Sequence, residues 1–256
     1  MSTNDDTSHE TRTGHTEANE TLISRGDDFE VGDALRRSAM AVAGLVALLS
    51  ILGSIGNLVV FDSAIGEADE DIVQTVADNR TSALDTAAPV ISALSDTWTV
   101  IGVVVGASTM LWVAGRRRHA LTVVLAVAVE FLTFLAVGAI IDRDRPEVEA
   151  LGSVPSTPSF PSGHTAAAFV LYAVLVLVAR SLATRSVPKW LWTVPVLIGL
   201  MMAFARVYEG VHHPLDVVAG LLVGVGALVG AGLATGVLVV ERSPFRLRLA
   251  PDVSPS

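Results

Sequence analysis

The stretch Pro161-Ser162-Gly163-His164 closes a loop rich in Pro, Ser and Thr, and the apolar run Thr165–Leu182 follows it at once. Pro, Ser and Gly before a long apolar run predict a loop that leads into the N-terminus of a helix. The free N–H groups and partial positive charge of such a terminus favour an anion. His164 could there donate a proton to a leaving oxygen. On its own, the motif favours a helix cap with a bystander histidine over a catalytic site.

Other long apolar runs surround this one. Of the 256 residues, 51% are hydrophobic and 17% charged, which is typical of a polytopic membrane protein. We predict an all-α bundle of six transmembrane helices. Their approximate ranges are Ser38–Phe61, Thr97–Ala114, Ala120–Ile141, His164–Ala183, Trp190–Val207 and Leu215–Val240.

The segment Asp62–Asp96, between the first two predicted spans, is acidic and too polar to cross a bilayer. It repeats apolar residues at helical spacing, which favours one or two amphipathic helices at the membrane interface, broken near Pro89. A simple connector with some helix fits the same pattern. Residues 1–33 are predicted to be a disordered acidic tail, residues 34–241 the membrane domain, and residues 242–256 a second tail.

Basic residues indicate the orientation of the bundle, because cytoplasmic loops of membrane proteins are enriched in Lys and Arg. With both tails in the cytoplasm, the inner segments contain Arg36, Arg37, Arg116, Arg117, Arg118, Arg185, Lys189 and the arginines of the C-terminal tail. The same orientation leaves Arg143, Arg145 and Arg206 on or near the outer side. A local function should therefore require these three.

The composition also excludes several classes of protein. The net charge is −9, which argues against a nucleic-acid partner. There is no cysteine, so the chain has no disulfide and no thiolate ligand or nucleophile. The expected partners are the lipid bilayer and a lipid substrate.

In the predicted topology, three separated polar stretches meet at the outer face. They are Asp142–Pro146, Pro161–His164 and Arg206–Asp216. The guanidinium groups of Arg145 and Arg206 can bind phosphoryl oxygens in a bidentate manner. Backbone N–H groups of Ser162 and Gly163 would complete a phosphate site.

Phosphoryl transfer also needs a nucleophile. We predict His212 in this role, oriented by Asp216, with His164 as the acid that protonates the leaving group. Pro214 suits the first position of a helix, which makes His213 the predicted N-cap. His213 remains the alternative nucleophile. No carboxylate cluster is needed, so no metal or cofactor is expected.

At these residues the chain resembles the type 2 phosphatidic acid phosphatases, a superfamily that includes lipid phosphate phosphatases and vanadium haloperoxidase-like proteins. Their signature has three parts: Lys, six residues and Arg-Pro; Pro-Ser-Gly-His; and Ser-Arg, five residues, His, three residues and Asp. Here the second part is intact, the third is present as Arg206, His212 and Asp216, and the first keeps Arg145 with its proline. The resemblance covers about residues 120–240.

The resemblance implies a metal-independent phosphatase that acts on lipid phosphates or diphosphates through a phosphohistidine at His212. Two positions depart from the signature: Gly138 replaces the Lys, and Ala205 replaces the Ser. Arg143 could take over the missing phosphate contact, or it could simply meet lipid headgroups. Glu130, in the middle of the third span, is either functional or a protonated packing residue.

Three functions fit the sequence. The first is hydrolysis of a lipid phosphate or a polyprenyl diphosphate. The second is transfer of the phosphoryl group to another lipid alcohol at the same site. The third is a weakened homologue that only binds lipid headgroups.

Overall fold

The computed structural model describes residues 30–184 and 187–238 of the chain. Contacts divide the chain into Met1–Gly32 and Asp33–Ser256, and the candidate site lies wholly within the second unit. Most of the predicted N-terminal tail and all of the predicted C-terminal tail fall outside the described residues. The first helix begins at Val31, so the last residues of the predicted N-terminal tail are helical.

The described residues form helices joined by loops, and they include no strand. The all-α prediction is therefore confirmed. The helices are α1 Val31–Ile55, continued by a π-helical turn Gly56–Val60, then α2 Ala64–Asp78, α3 Ser82–Ser92, α4 Thr97–Val113, α5 Arg117–Gly138, α6 Gly163–Leu182, α7 Thr193–Tyr208 and α8 Pro214–Ala234.

Five helical segments among the described residues are long and apolar enough to cross a membrane, and a bent pair makes a possible sixth. The five are Val31–Val60, Arg117–Gly138, Gly163–Leu182, Lys189–Tyr208 and Pro214–Ala234. The bent pair joins Ser82–Ser95 to Thr97–Val113 at an angle of 41°. The predicted second span thus corresponds to α4, preceded by a helix that turns away from it.

Two predicted boundaries are shifted. The polar segment does form two helices, but they separate at residues 79–81 and Pro89 lies inside α3. The side chain of Thr81 accepts a hydrogen bond from Leu84 N–H and so starts α3 before the proline is reached. The last helix ends at Ala234 rather than Val240, because Gly236 adopts a positive φ of 70° that stops it.

Helix α6 packs against α5, α7 and α8. Its contact with α8 is close, since a Cβ at Gly220 would collide with the Ser162 carbonyl and one at Gly224 would lie 2.9 Å from the Ala166 carbonyl. Helices α5 and α7 end where α6 and α8 begin, so the loops that carry the polar stretches share one end of the bundle. Helices α2 and α3, which we call the N-terminal arm (residues 64–92), contact α7 at this same end.

Candidate active site

His212 lies at the bottom of the site, in the turn between α7 and α8, and only 3% of its surface is exposed. Its Nδ1 lies 2.8 Å from the Ser159 carbonyl oxygen. A carbonyl oxygen can only accept a hydrogen bond, so Nδ1 carries the proton and Nε2 carries the lone pair. Within residues 30–184 and 187–238, no group hydrogen-bonds to Nε2.

The protonation of His212 is also controlled by its surroundings. Burial lowers the pKa of the ring, because a charged imidazolium is poorly solvated there. Asp216 opposes this shift, while the charges of Arg145 and Arg206 lower the pKa further. The ring is therefore kept neutral at neutral pH, as a nucleophile must be.

Asp216 occupies the third position of α8, as predicted, and is completely buried. Its Oδ2 accepts hydrogen bonds from Ser159 Oγ at 2.5 Å and from the His213 backbone N–H at 2.8 Å. Nδ1 of His212 lies 3.7 Å from Oδ2, farther than from the Ser159 carbonyl. Asp216 therefore supports His212 mainly through its charge, and the Ser159 carbonyl makes the direct hydrogen bond.

His213 is the N-cap of α8, as predicted. Both ring nitrogens face carboxylates: Nδ1 lies 3.2 Å from Asp216 Oδ2, and Nε2 lies 2.8 Å from Glu70 Oε2. Neither nitrogen is free to attack a substrate. The geometry therefore favours His212 over His213 as the nucleophile.

His164 is the second residue of α6, and 30% of its side chain is exposed. Its Nε2 lies 3.3 Å from Oδ1 of Asp96, the residue before α4. Asp96 was not among the predicted site residues. Asp96 therefore gives one ring nitrogen of His164 a hydrogen-bond partner.

Arg206 is buried near the end of α7. Its Nη1 donates to Glu209 Oε2 at 2.6 Å and lies 3.5 Å from Ser92 Oγ. Its Nε is buried and has no hydrogen-bond partner among the described residues. A buried N–H without a partner is costly, so this donor is available to an incoming anion.

Arg145 binds the loops around the site. Its Nη1 donates to the Val211 carbonyl at 2.5 Å, and its Nη2 donates to the Thr157 carbonyl at 3.0 Å. Burial lowers the pKa of this guanidinium, and the charge of Arg206 adds to the shift. Arg145 thus lies beside the cavity of His212 and His164, with part of its guanidinium already bound to the protein.

The remaining predicted phosphate contacts differ in availability. The Ser162 N–H donates to the Asp216 carbonyl at 2.9 Å, and its hydroxyl pairs with Thr165 Oγ1 at 3.0 Å. Ser162 is therefore occupied and fully buried, because α8 packs directly against this turn. Gly163, the first residue of α6, remains as the backbone contact that lines the cavity.

Arg143 lies away from the predicted phosphate site. Its Nη1 donates to Asp216 Oδ1 at 2.5 Å, and its Nη2 donates to Asp69 Oδ2 at 2.7 Å. The guanidinium also stacks over the Phe61 ring, 3.9 Å from its centroid. The side chain is only 7% exposed, so it meets neither a phosphate in the cavity nor lipid headgroups.

Residues 118–236 match the PAP2 superfamily. This segment is therefore similar to the members of that superfamily. The undecaprenyl-diphosphatase of Sulfolobus acidocaldarius is 40% identical over 70 residues, which is 27% of this chain and 30% of that protein. The decaprenylphosphoryl-5-phosphoribose phosphatase of Mycobacterium tuberculosis H37Rv is 32% identical over 119 residues, or 45% of this chain and 60% of that protein. The alignments therefore span less than two thirds of these relatives.

The fold is that of a solved PAP2 protein. The transmembrane PAP2 type phosphatidylglycerolphosphate phosphatase from Bacillus subtilis superposes with a TM-score of 0.62 and 24% sequence identity. The superposition covers 80% of this chain and 98% of that one. It extends beyond the matched segment and so includes part of the chain before residue 118.

An apolar cavity of about 450 Å³ opens from the candidate site between α4, α5 and α6. His164, His212 and Arg145 line it together with Val124 and Phe134 of α5. Ten residues of helix separate these last two, so the cavity follows α5 for about 15 Å at 1.5 Å per residue.

Glu130 also lines this cavity, one helical turn from Phe134. In the described part of the chain it has no hydrogen-bond or ion-pair partner.

Several residues of the candidate site could not be recognised from the signature. They are Asp69, Glu70, Asp96, Ser159 and Glu209. Asp69, Glu70 and Asp96 belong to the acidic segment before the matched region, where carboxylates are so frequent that none is distinguished. The sequence contains one indication of their position. Val73 is an apolar residue on an otherwise acidic helix, and it marks the face of that helix that is buried.

Proposed function

We propose that this chain is an integral-membrane phosphatase that hydrolyses a lipid phosphate or a polyprenyl diphosphate through a phosphohistidine at His212. His164 is the proposed general acid, and Arg145, Arg206 and Gly163 bind the phosphoryl group. The mechanism uses no metal, because the two guanidinium groups supply the positive charge.

One observation carries the proposal: His212 presents an unprotonated Nε2 in a cavity that it shares with a second histidine. A ring nitrogen is a useful nucleophile only when its lone pair is free and its other nitrogen is held. The Ser159 carbonyl supplies that hold, and Asp216 supplies negative charge as the ring becomes cationic.

In the first step, the Nε2 lone pair attacks phosphorus and forms an N–P bond while the bond from phosphorus to the leaving oxygen breaks. Protonated His164 transfers its proton to that oxygen. The unpartnered Nε–H of Arg206 is available to a phosphoryl oxygen, and such donors are most effective where charge develops in the transition state.

In the second step, water attacks the phosphohistidine. His164, now neutral, accepts a proton from the water as the new P–O bond forms. The N–P bond breaks, its electron pair returns to Nε2, and inorganic phosphate leaves. Both histidines are restored to their initial states.

The apolar cavity supports a lipid as the substrate. A hydrocarbon tail along α5 would bury apolar surface while its phosphate reaches the polar end of the cavity. The relatives are named for undecaprenyl diphosphate and for decaprenylphosphoryl phosphoribose, and the structural relative for phosphatidylglycerolphosphate. These names support a lipid phosphate or diphosphate and leave the headgroup open.

We place the site on the outer face of a cell membrane, with both termini in the cytoplasm. The support is the distribution of charge: Arg116, Arg117, Arg118 and Lys189 lie at the end of the bundle opposite to His212. Basic loops remain in the cytoplasm, so the opposite end faces outward.

The test is phosphate release by the purified protein in detergent, with phosphatidic acid or a polyprenyl diphosphate, in the presence of EDTA and at several salt concentrations. We expect release from at least one lipid and none from His212→Ala. His119→Ala is the matched control, because this histidine lies at the far end of the bundle and contacts Ser181.

The outcomes separate the alternatives. Phosphate release abolished by EDTA would contradict the metal-free mechanism. Activity that persists in His212→Ala would move the nucleophile elsewhere. Binding of both lipids without turnover would favour the headgroup-binding alternative.

A further inference from the structure

We propose that Asp69 of α2 is a positioning residue for the His212–Asp216 pair: by taking one end of the Arg143 guanidinium, it sets how much negative charge Asp216 presents to His212. The inference rests on the proposed function, because it assigns a role within that mechanism. Asp69 precedes the matched region 118–236, so this contribution comes from the N-terminal arm.

The three charged groups form a buried row. Arg143 lies between the two carboxylates, at 2.5 Å from Asp216 and 2.7 Å from Asp69. The exposed fractions are 0% for Asp216, 4% for Asp69 and 7% for Arg143. Because water is excluded from this row, the charges act on one another with little screening.

Asp69 also holds the helix that carries Asp216. Its Oδ1 accepts the Leu215 N–H at 3.1 Å, which is one of the first donors of α8. The next residue of the arm, Glu70, accepts from the Glu147 N–H at 3.0 Å and faces His213. The arm thus fixes both the position of Asp216 and the direction from which Arg143 approaches it.

The arrangement divides the charge of Arg143. One carboxylate oxygen of Asp216 faces Arg143, and the other lies 3.7 Å from the Nδ1 of His212. Without Asp69, the whole positive charge of Arg143 would act on Asp216. The field that favours a positive His212 would then weaken.

Other charged groups also act on His212. Asp216 faces it from α8, Arg145 from the loop before α6 and Arg206 from α7. His164 of α6 shares its cavity. None of these contacts Asp69, so changes at Asp69 reach His212 through Arg143 and Asp216 and not through the phosphate contacts.

The experiment measures the acid limb of kcat/KM against pH with phosphatidic acid, because a nucleophilic His212 must lose its ring proton. For Asp69→Asn we expect this limb to move to lower pH by about 0.5 to 1 unit, as for loss of one nearby charge. For Arg143→Gln we expect a shift to higher pH, because Asp216 then acts on His212 without a cation beside it. The charge-balanced double variant should return toward wild type.

Asp71→Asn is the matched control, since Asp71 is an exposed residue of the same helix. If Asp69 had a purely structural role, kcat would fall in Asp69→Asn, in Arg143→Gln and in the double variant. The acid limb of the pH profile would then stay where it is in wild type. Shifts of the same sign in the two single variants, or no shift in either, would overturn the inference. If Arg143→Gln fails to fold, the test rests on the two other variants. The acid limb should move to lower pH in Asp69→Asn, and this shift should be reversed in the double variant. A wild-type protein that releases no phosphate would instead overturn the proposed function.

Discussion

The two histidines of the site lie in contrasting surroundings. His212 is 3% exposed and hydrogen-bonded to a backbone carbonyl, whereas 30% of the His164 side chain is exposed and its partner, Asp96, is largely exposed. A buried ring with a fixed tautomer suits a group that must form a bond to phosphorus. A partly exposed ring with a carboxylate partner suits a group that must gain and lose a proton in each cycle. The difference indicates that the fold fixes His212, the proposed nucleophile, more firmly than His164, the proposed acid.

The largest loss of activity should come from a change at His212, the more firmly held histidine. His212→Asn retains a side chain that can donate to the Ser159 carbonyl but has no nucleophilic nitrogen. We expect kcat to fall by about 10⁴-fold or more, as for loss of a catalytic nucleophile. Acid-labile phosphate on the protein, measured after mixing with labelled lipid phosphate, should be absent in this variant and present in wild type. Equal labelling of both would contradict the assignment.

A change at His164, the proposed acid, should lower activity by an amount that depends on the leaving group. His164→Ala should lower kcat for phosphatidic acid by about 10² to 10⁴-fold, because an alkoxide needs a proton. With a polyprenyl diphosphate the leaving group is a phosphate, whose second pKa is about 6. Because this group needs no proton to leave, kcat for the diphosphate should fall much less. Parallel turnover assays of both lipids check this, provided that the wild type accepts both. Equal losses for the two would remove the distinction between the histidines.

A smaller effect is expected where the signature Lys is missing. Among the described residues, a Cβ at Gly138 would approach the Phe160 carbonyl alone, at 3.9 Å, so the first carbon of a side chain fits there. Gly138→Lys should lower KM by about tenfold, the effect of one charge-assisted hydrogen bond of about 1.5 kcal/mol. Gly138→Met controls for side-chain size. An unchanged KM in the Lys variant would mean that its ammonium group does not reach the phosphate.

The smallest effect should come from the exposed carboxylate. Asp96→Asn removes the charge 3.3 Å from His164, and exposed pairs of this kind contribute up to about 1 kcal/mol. We therefore expect kcat to fall by about fivefold at most. The loss should be greater for phosphatidic acid than for the diphosphate and should shrink in high salt. A loss as large as that of His164→Ala would show that Asp96 does more than support the acid.

The parts of this molecule that follow from local sequence could be predicted. The helical nature of the bundle, the start of α8 at Pro214 and the capping role of His213 follow from apolar runs and from the residues at helix ends. The gathering of His164, His212 and Asp216 at one end follows from the alternating direction of the helices.

What could not be predicted depends on contacts between distant segments. Arg143 was expected to meet phosphate or headgroups because nothing in the sequence indicates that Asp69, 74 residues earlier, occupies one end of its guanidinium. The same limit applies to the hydrogen bond between His212 and the Ser159 carbonyl. Such a contact depends on how a loop folds back, and a backbone acceptor has no signature in sequence.

The close contact between α6 and α8 matters for any attempt to build this site into another protein. Two of the five glycines of α8, Gly220 and Gly224, bring its backbone against the first turn of α6, and the Asp216 carbonyl accepts the Ser162 N–H. The helix that carries His164, the proposed acid, is thereby packed rigidly against the helix that carries Asp216, the proposed orienting carboxylate. A designed helical bundle that contained only the signature residues would not reproduce the distances between them. The design would also need Gly220 and Gly224, which set the spacing of α6 and α8.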